Sequence, residues 1–219
     1  MAAVLHLPEG DRPCPCVVAC HGLSASKDSD KYWLLAEALP AAGIALVRFD
    51  FRGCGESTGA EADTTIATRV DDVHAVIDAV RAHGRLSGRL GFLGSSLGGF
   101  VALHVAARRS DEPPVVTWNS PVDLRDLRRP EEPSGLGAAF YEEVTTGRYA
   151  SAPGGLRRHL VVQAALDDVV PPVHGARLHA RAAMPTRIVT LTGADHRLSD
   201  PEHRRQALAV SLDWYRKHL

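Results

Sequence analysis

The chain has 219 residues, and its 25 basic and 26 acidic side chains leave a formal net charge of −1 with histidine neutral. This balance excludes the strongly basic surface that nucleic-acid binding requires. With 45% apolar and 23% charged residues, the composition also excludes disordered, collagen-like and membrane-embedded chains. Neither a long apolar run nor a basic and apolar leader in residues 1–10 is found. We therefore expect one domain over residues 1–219, located in the cytoplasm, with no membrane partner.

Short apolar runs along the chain predict β-strands. Each run has four to six residues and is apolar on both faces for most of its length. Such continuous runs are typical of parallel strands that are covered on both sides. The predicted strands are Val17–Cys20, Ile44–Phe49, Leu90–Leu93, Val115–Trp118, Leu160–Ala164 and Arg187–Leu191.

Segments of helical period lie between these runs. The clearest is Thr64–His83, whose apolar residues recur at three- and four-residue steps up to Gly84. A second helix is predicted after Asp200, a candidate N-cap that is followed by Pro201 at the first helical position. The alternation of strand and helix predicts a doubly wound, mostly parallel α/β sheet with right-handed crossovers.

The cysteines are unevenly distributed. Cys14, Cys16 and Cys20 are crowded into one segment, whereas Cys54 stands apart. This spacing suits neither a disulfide framework nor the paired ligands of a structural zinc site. We therefore expect free thiols and no metal. The prolines beside the first two cysteines predict an irregular segment before the first strand.

A glycine-flanked serine follows the third predicted strand. Residues 94–98 read Gly-Ser-Ser-Leu-Gly and fit the pattern G-x-S-x-G, with Ser96 at the centre. In this pattern the serine lies on a strained turn between strand and helix, and its hydroxyl stands above the sheet. The glycine spacing does not fit a dinucleotide fingerprint, and no Gly-Lys-Ser/Thr sequence predicts a phosphate-binding loop. Ser96 is therefore a candidate nucleophile.

An acid and a histidine follow later strands. Asp167 and Asp168 come after Leu160–Ala164, and His196 comes after Arg187–Leu191. The carboxyl ends of parallel strands meet at one edge of a sheet, where ligands bind. A serine nucleophile needs a base, and an imidazole base needs a carboxylate that orients it. The order Ser, acid, His supplies all three groups.

These segments resemble the α/β-hydrolase family, and within it the small bacterial esterases similar to feruloyl and cinnamoyl esterases and to serine aminopeptidase-like hydrolases. The matching segments extend over nearly the whole chain and are 18–23, 47–57, 91–99, 166–171 and 193–201. The resemblance implies an α/β-hydrolase fold in which residues 121–159 form a small cap.

The resemblance also implies roles for individual residues. The acid is expected to be Asp167 rather than Asp168, and the backbone N–H groups of Leu23 and Leu97 are expected to form an oxyanion hole. The implied activity is hydrolysis of small soluble or aryl carboxylic esters through an acyl-enzyme on Ser96, without a metal or cofactor. An amidase, a peptidase or an acyltransferase with the same residues stays open, as does a hydrolase-fold module that binds a ligand without turnover.

Other polar residues at strand ends have less direct interpretations. In the family the histidine at the position of His21 orders the oxyanion loop, and we expect that role here rather than proton transfer. Asp50 and Arg52 could form an ion pair, but the matching family motif favours a structural turn. Asp123 and Asp195 are the alternative orienting acids.

The expected cap is short and rich in proline, glycine and arginine, which favours a shallow, open site. Its arginines could recognise an acidic acyl group, although solvated positions are the favoured interpretation; they are Arg125, Arg128, Arg129, Arg148, Arg157 and Arg158. The leading hairpin found in many relatives is expected to be reduced or missing. An exposed sheet edge could then pair in a homodimer.

Overall fold

The computed structural model describes residues 1–127 and 135–219. Within these ranges one sheet of seven strands has the order β1-β3-β2-β4-β5-β6-β7. The first strand is antiparallel to its neighbour and the others are parallel. The strands are β1 Ala3–His6, β2 Cys14–Cys20, β3 Ala45–Phe49, β4 Leu86–Ser95, β5 Val115–Trp118, β6 His159–Ala164 and β7 Thr186–Leu191.

Helices cover both faces of this sheet. Helices α1 and α6 pack on one face, and α2, α3 and α5 pack on the other. This doubly wound, mostly parallel arrangement confirms the predicted fold class. The helices of the described ranges are α1 Asp30–Ala41, α2 Ile66–Arg81, α3 Leu97–Ala106, α4 Ala138–Thr146, α5 Val173–Arg181 and α6 Pro201–His218.

Alternate residues of the central strands supply two hydrophobic cores. On β2, Val18 joins the core under α2 and α3, whereas Val17 joins the core under α1 and α6. Tyr215 of α6 is buried and donates its hydroxyl to the carbonyl oxygen of Phe92 at 2.7 Å. Strands β5 and β6 are buried at every position. This two-sided burial explains why the central strands appear in the sequence as nearly continuous apolar runs.

Strand β1 was not predicted from the sequence. It pairs with β3 along its whole length, with Ala3 opposite Phe49 and His6 opposite Leu46. An edge strand of four residues lacks the long apolar run that marks a strand covered on both sides. The leading hairpin is therefore reduced to one strand, and that strand covers the edge of β3.

Strand β2 begins earlier than expected. Cys14 and Cys16 belong to the strand, so the prediction of an irregular segment there was wrong. The pairing with β4 shifts register between these two residues, and Pro15, which has no N–H for the ladder, lies at that shift. The four cysteines are buried free thiols, as predicted. Burial raises the pKa of Cys16 and of Cys20 to about 12, which makes both poor nucleophiles at neutral pH.

Both predicted helices form. Helix α2 follows Thr65, whose side chain accepts a hydrogen bond from the N–H of Thr68. Helix α6 begins at Pro201, and the carboxylate of Asp200 accepts from the N–H of Glu202 at 2.8 Å. Helices α4 and α5 have only nine residues each, which is too short for a strong apolar period. Among the described residues, no helix has the length and apolarity needed to cross a bilayer.

Residues 121–159, the expected cap, connect β5 to β6. Their described part contains a 3₁₀ turn at Leu124–Asp126 and helix α4, and residues 128–134 lie outside the described residues. The carboxylate of Glu143 on α4 accepts hydrogen bonds from the N–H groups of the first two residues of α2. This contact anchors α4 to the helical layer on that face of the sheet.

Candidate active site

Side chains from three strand ends meet above the sheet. Ser96 follows β4, Asp167 follows β6 and His196 follows β7. The Nε2 atom of His196 lies 3.1 Å from Ser96 Oγ, and Nδ1 lies 2.9 and 2.8 Å from the two carboxylate oxygens of Asp167. The structure thus brings these sequence-predicted residues into one hydrogen-bonded chain.

The Asp167 carboxylate is buried and held by its own loop. Its Oδ1 atom accepts hydrogen bonds from the N–H groups of Val169 and Val170 at 3.0 and 2.7 Å. The neighbouring Asp168 is exposed. Because backbone donors fix the carboxylate of Asp167 toward the imidazole, this residue can orient the His196 ring, which agrees with the choice made from the sequence.

The turn that carries Ser96 has unusual backbone geometry. Ser96 has φ 54° and ψ −127°, a conformation that side chains with a Cβ seldom adopt. Its flanking glycines allow close contact of main-chain segments. A Cβ on Gly98 would lie 2.1 Å from the carbonyl oxygen of Cys20, and one on Gly94 would lie 2.4 Å from the carbonyl oxygen of Gly98. The turn therefore packs directly against β2 and raises the serine above the sheet.

Two backbone segments border the serine hydroxyl. Leu97 is the first residue of α3, so its N–H has no acceptor within the helix. Gly22 lies against the serine, because a Cβ there would be 3.2 Å from the Cβ of Ser96. The next residue, Leu23, lines the same cavity as Leu97 and Ser96. Both predicted oxyanion-hole residues are thus beside the candidate nucleophile.

His21 has a structural environment. Its ring is buried, its Nδ1–H donates to the carbonyl oxygen of Gly22 at 2.7 Å, and its Nε2 accepts from the N–H of Phe51 at 3.1 Å. Burial, with a smaller contribution from Arg69, lowers the pKa of His21 to about 4. The neutral ring therefore ties the Gly22 loop to the turn after β3, in agreement with the expected ordering role.

The Asp50 turn is also structural. The buried Asp50 carboxylate accepts from the backbone N–H groups of Lys27 and Glu56 at 2.7 and 3.0 Å, and from Lys27 Nζ at 3.1 Å. Arg52 pairs instead with Asp72 at 2.6 Å. The two residues therefore do not pair with each other, which agrees with the favoured interpretation of a turn.

The alternative acids have other partners. Asp123 pairs with Arg125 at 2.6 Å and accepts from the Ser151 hydroxyl at 2.8 Å. Asp195 accepts from the N–H of Ser199 at 2.8 Å. Within the described part of the chain, neither carboxylate is bonded to the ring of His196. The geometry therefore favours Asp167 over both.

Asn119, at the end of β5, holds the histidine loop in place and was given no role from the sequence. Its Nδ2 donates to the carbonyl oxygen of His196, and its Oδ1 accepts from the N–H of Ala164, both at 2.8 Å. These bonds tie the loop of the candidate base to the end of β6. Its position after a strand was the available signal, because polar residues at such ends face the site.

A cavity of about 1050 Å³ opens beside Ser96 and His196. This exceeds the usual range for ligand pockets of about 300–1,000 Å³, so the expectation of a shallow site was wrong. One part of its wall is apolar and comes largely from the expected cap, with Leu124, Leu127, Leu136, Phe140 and Val144. Another part is polar and comes from α1, the loop before it and the segment around the start of α6, with Ser24, Ser29, Asp30, Lys31, Arg197, Ser199 and Arg204.

Lys31 lies beside the nucleophile turn and was missed by the sequence analysis. Its Nζ atom donates to Ser95 Oγ at 2.8 Å, and Ser95 directly precedes Ser96. Burial, with Arg197 and Arg204 nearby, lowers the pKa of Lys31 to about 8, and Asp195 opposes the shift. No motif marks this lysine, because the contact joins residues that are far apart in the chain.

The predicted arginines contribute little to the cavity. Arg125 lines it but pairs with Asp123. Arg128 and Arg129 lie outside the described residues. The others pack elsewhere, on Glu112 or on the ring of Tyr149, and are Arg148, Arg157 and Arg158.

The family model described as Hydrolase_4, serine aminopeptidase S33, matches residues 11–122, about half of the chain. An uncharacterized protein of Mycobacterium tuberculosis is 30% identical over 203 residues, which cover 86% of this chain and 64% of that protein. The chain therefore spans less than two thirds of the length of this relative.

Solved structures share the fold over almost the whole chain. Est1E from Butyrivibrio proteoclasticus, solved with ferulic acid bound, has a TM-score of 0.84 at 18% identity and covers 99% of this chain and 94% of its own. The esterase domain of a Rhodothermus marinus protein has a TM-score of 0.71 at 26% identity, with 99% and 92% covered. Together with the family match, these findings show that the chain belongs to the serine aminopeptidase S33 family of α/β hydrolases.

Proposed function

We propose that the chain is a serine hydrolase that cleaves carboxylic esters through an acyl-enzyme on Ser96. The observation that carries this proposal is the 3.1 Å contact between Ser96 Oγ and Nε2 of a histidine whose Nδ1 is bonded to Asp167. In a member of a hydrolase family, that geometry suits a nucleophile, a general base and an orienting acid.

The reaction has two halves. In the first, Ser96 Oγ attacks the ester carbonyl carbon while His196 Nε2 takes its proton, and the imidazolium is stabilised by Asp167. The N–H groups of Leu23 and Leu97 donate to the oxyanion, and the dipole of α3 adds positive potential there. His196 then gives the proton to the departing alcohol. In the second half, water attacks the acyl-enzyme with His196 as base, and the acid and free Ser96 are released.

The apolar part of the cavity supports small or aryl esters as substrates. Phe140 and the leucines of residues 121–159 offer a surface for a hydrocarbon or aromatic portion. The similarity to an esterase domain at 26% identity points the same way. The second candidate is amide or peptide cleavage by the same residues, because the matching family is described as serine aminopeptidase.

Labelling with a fluorophosphonate tests the nucleophile. We expect one adduct on Ser96 in the folded protein and none in Ser96→Ala, whose turnover should fall by about three to six orders of magnitude. A folded protein that gives no adduct on Ser96 contradicts the proposal and favours a module that binds without turnover.

Matched substrates then test the reaction class. We expect p-nitrophenyl esters of short acids to be cleaved with higher kcat/KM than p-nitroanilides of the same acids. Faster cleavage of the anilides would make the amidase the correct function, and transfer to an added alcohol in preference to water would indicate an acyltransferase.

A further inference from the structure

Three cationic side chains converge on one part of the cavity wall. Lys31 comes from α1, Arg197 directly follows His196, and Arg204 comes from α6. All three line the cavity that holds Ser96. We call this set the cationic corner.

Little negative charge compensates the cationic corner. Arg204 has the carboxylate of Asp30 at 3.6 Å, but that aspartate is 81% exposed. The hydrogen bond of Lys31 goes to the neutral hydroxyl of Ser95. Among the described residues, no carboxylate lies within salt-bridge distance of Lys31 or Arg197. The corner therefore keeps a positive potential that faces the site.

Other cations of the chain are treated differently. Lys27 is as buried as a core residue, and its Nζ contacts the carboxylates of Asp28, Asp50 and Glu56. The buried Arg48 likewise pairs with Asp28. Clustered cations without counter-charges cost free energy, which an anionic ligand would offset. The exception at the cavity wall thus indicates a place for an anion.

We propose that the cationic corner binds a carboxylate carried by the ester substrate. This inference rests on the proposed function and narrows it to small esters that bear one carboxylate. The lysine ammonium has three donors, of which one is used on Ser95, and Arg197 adds a guanidinium that suits a carboxylate. Because Ser95 and Ser96 are consecutive, with Cα atoms about 3.8 Å apart, the carboxylate and the scissile carbonyl are separated by about one benzene ring or a short aliphatic chain.

A binding experiment tests the corner without turnover. Titration calorimetry of Ser96→Ala with 4-acetoxybenzoate and with its methyl ester compares the same aryl ester with and without the charge. We expect the carboxylate to bind about tenfold or more tightly, the usual effect of a charge-assisted hydrogen bond. Lys31→Met or Arg197→Met, added to Ser96→Ala, should remove most of this advantage, and Lys31→Arg should retain it.

A matched control separates a local effect from net charge. Arg205→Met removes an exposed cation that pairs with Glu202 on the same helix as Arg204. It should leave the advantage of the carboxylate unchanged. Equal binding of the two esters, or an equal loss in the control variant, overturns the inference.

Kinetics of the active protein then show which half of the ester carries the charge. The ratio of kcat/KM for 4-acetoxybenzoate and its methyl ester tests the alcohol half, and that for monoethyl glutarate and ethyl pentanoate tests the acyl half. We expect one ratio to favour the charged ester, to fall about tenfold in Lys31→Met and to shrink as salt rises.

The two proposals fail in different ways. If neutral esters are cleaved and neither ratio favours the charged ester, the cationic corner has no such role while the esterase stands. If Ser96 is not labelled, the esterase fails, and the calorimetric comparison still decides whether the corner binds a carboxylate.

Discussion

Two adjacent aspartates differ in what surrounds them. Asp167 is buried against two backbone N–H groups and the His196 ring, whereas Asp168 is exposed. We expect Asp167→Asn to lower kcat by about 10³–10⁴-fold, because the amide favours the wrong histidine tautomer. Asp168→Asn should stay within about twofold of wild type, since it changes only a solvated side chain. Rates on p-nitrophenyl acetate, with circular dichroism to verify folding, measure both; the opposite ranking would place the acid at 168.

The residues of the site differ in how far sequence could reveal them. Ser96 and His196 stand in short motifs at strand ends, and such local signals survive without knowledge of the fold. Lys31 and Asn119 act through contacts with residues that are distant in the chain. No spacing rule connects such pairs, because their proximity follows from the packing of helices and loops around the sheet.

At the scale of elements, helix α3 depends on a glycine at its contact with β2. A Cβ at position 98 would lie 2.1 and 2.4 Å from the carbonyl oxygens of Cys20 and His21. We expect Gly98→Ala to push α3 from the strand, to destabilise the fold by about 1–3 kcal/mol or more, and to displace Ser96. Urea unfolding and ester hydrolysis measure the two effects.

A matched substitution controls for the loss of a glycine. Gly84 is exposed, has no heavy atom within 4 Å of an added Cβ and has no positive φ. Gly84→Ala should leave stability within about 0.5 kcal/mol of wild type and leave activity unchanged. Equal effects of the two alanines would show that α3 tolerates the extra methyl group.

The elements that sequence predicted best are those buried on both sides. Strand β5 has the predicted bounds, Val115–Trp118, and β6 and β7 differ from prediction by one residue at the start. Continuous apolar runs mark these strands. By contrast, β1 lies at an edge and α4 is short, so neither needs the long apolar pattern from which elements are identified.

At the scale of the whole molecule, buried histidines make stability depend on pH. Burial is the main cause that lowers the pKa of His21 and His104 to about 4 and of His159 to about 3. The unfolded chain, with a histidine pKa near 6.5, then binds more protons than the folded chain in mild acid. Stability is therefore full above pH 6.5 and is lost as pH falls toward 4.

His104 allows a test of this linkage. It packs between the rings of Phe100 and Tyr149, with centroids 4.8 and 5.0 Å away. We expect His104→Phe to remove part of the acid sensitivity, so that the variant gains about 1–2 kcal/mol relative to wild type between pH 7 and pH 5. Urea unfolding at both pH values measures this, and the difference should be constant between pH 7.5 and 8.5. A constant difference throughout would show that His104 titrates alike in both states.

The positive φ of Ser96 sets activity against thermodynamic optimum. Only glycine adopts such a conformation without cost, and other residues lose about 1–3 kcal/mol there. We expect Ser96→Gly to melt at a higher temperature than Ser96→Ala in differential scanning calorimetry, although both lack a nucleophile. Equal melting temperatures would mean that the turn relaxes. If the difference is found, selection retains at this position a side chain that the fold alone would replace with hydrogen.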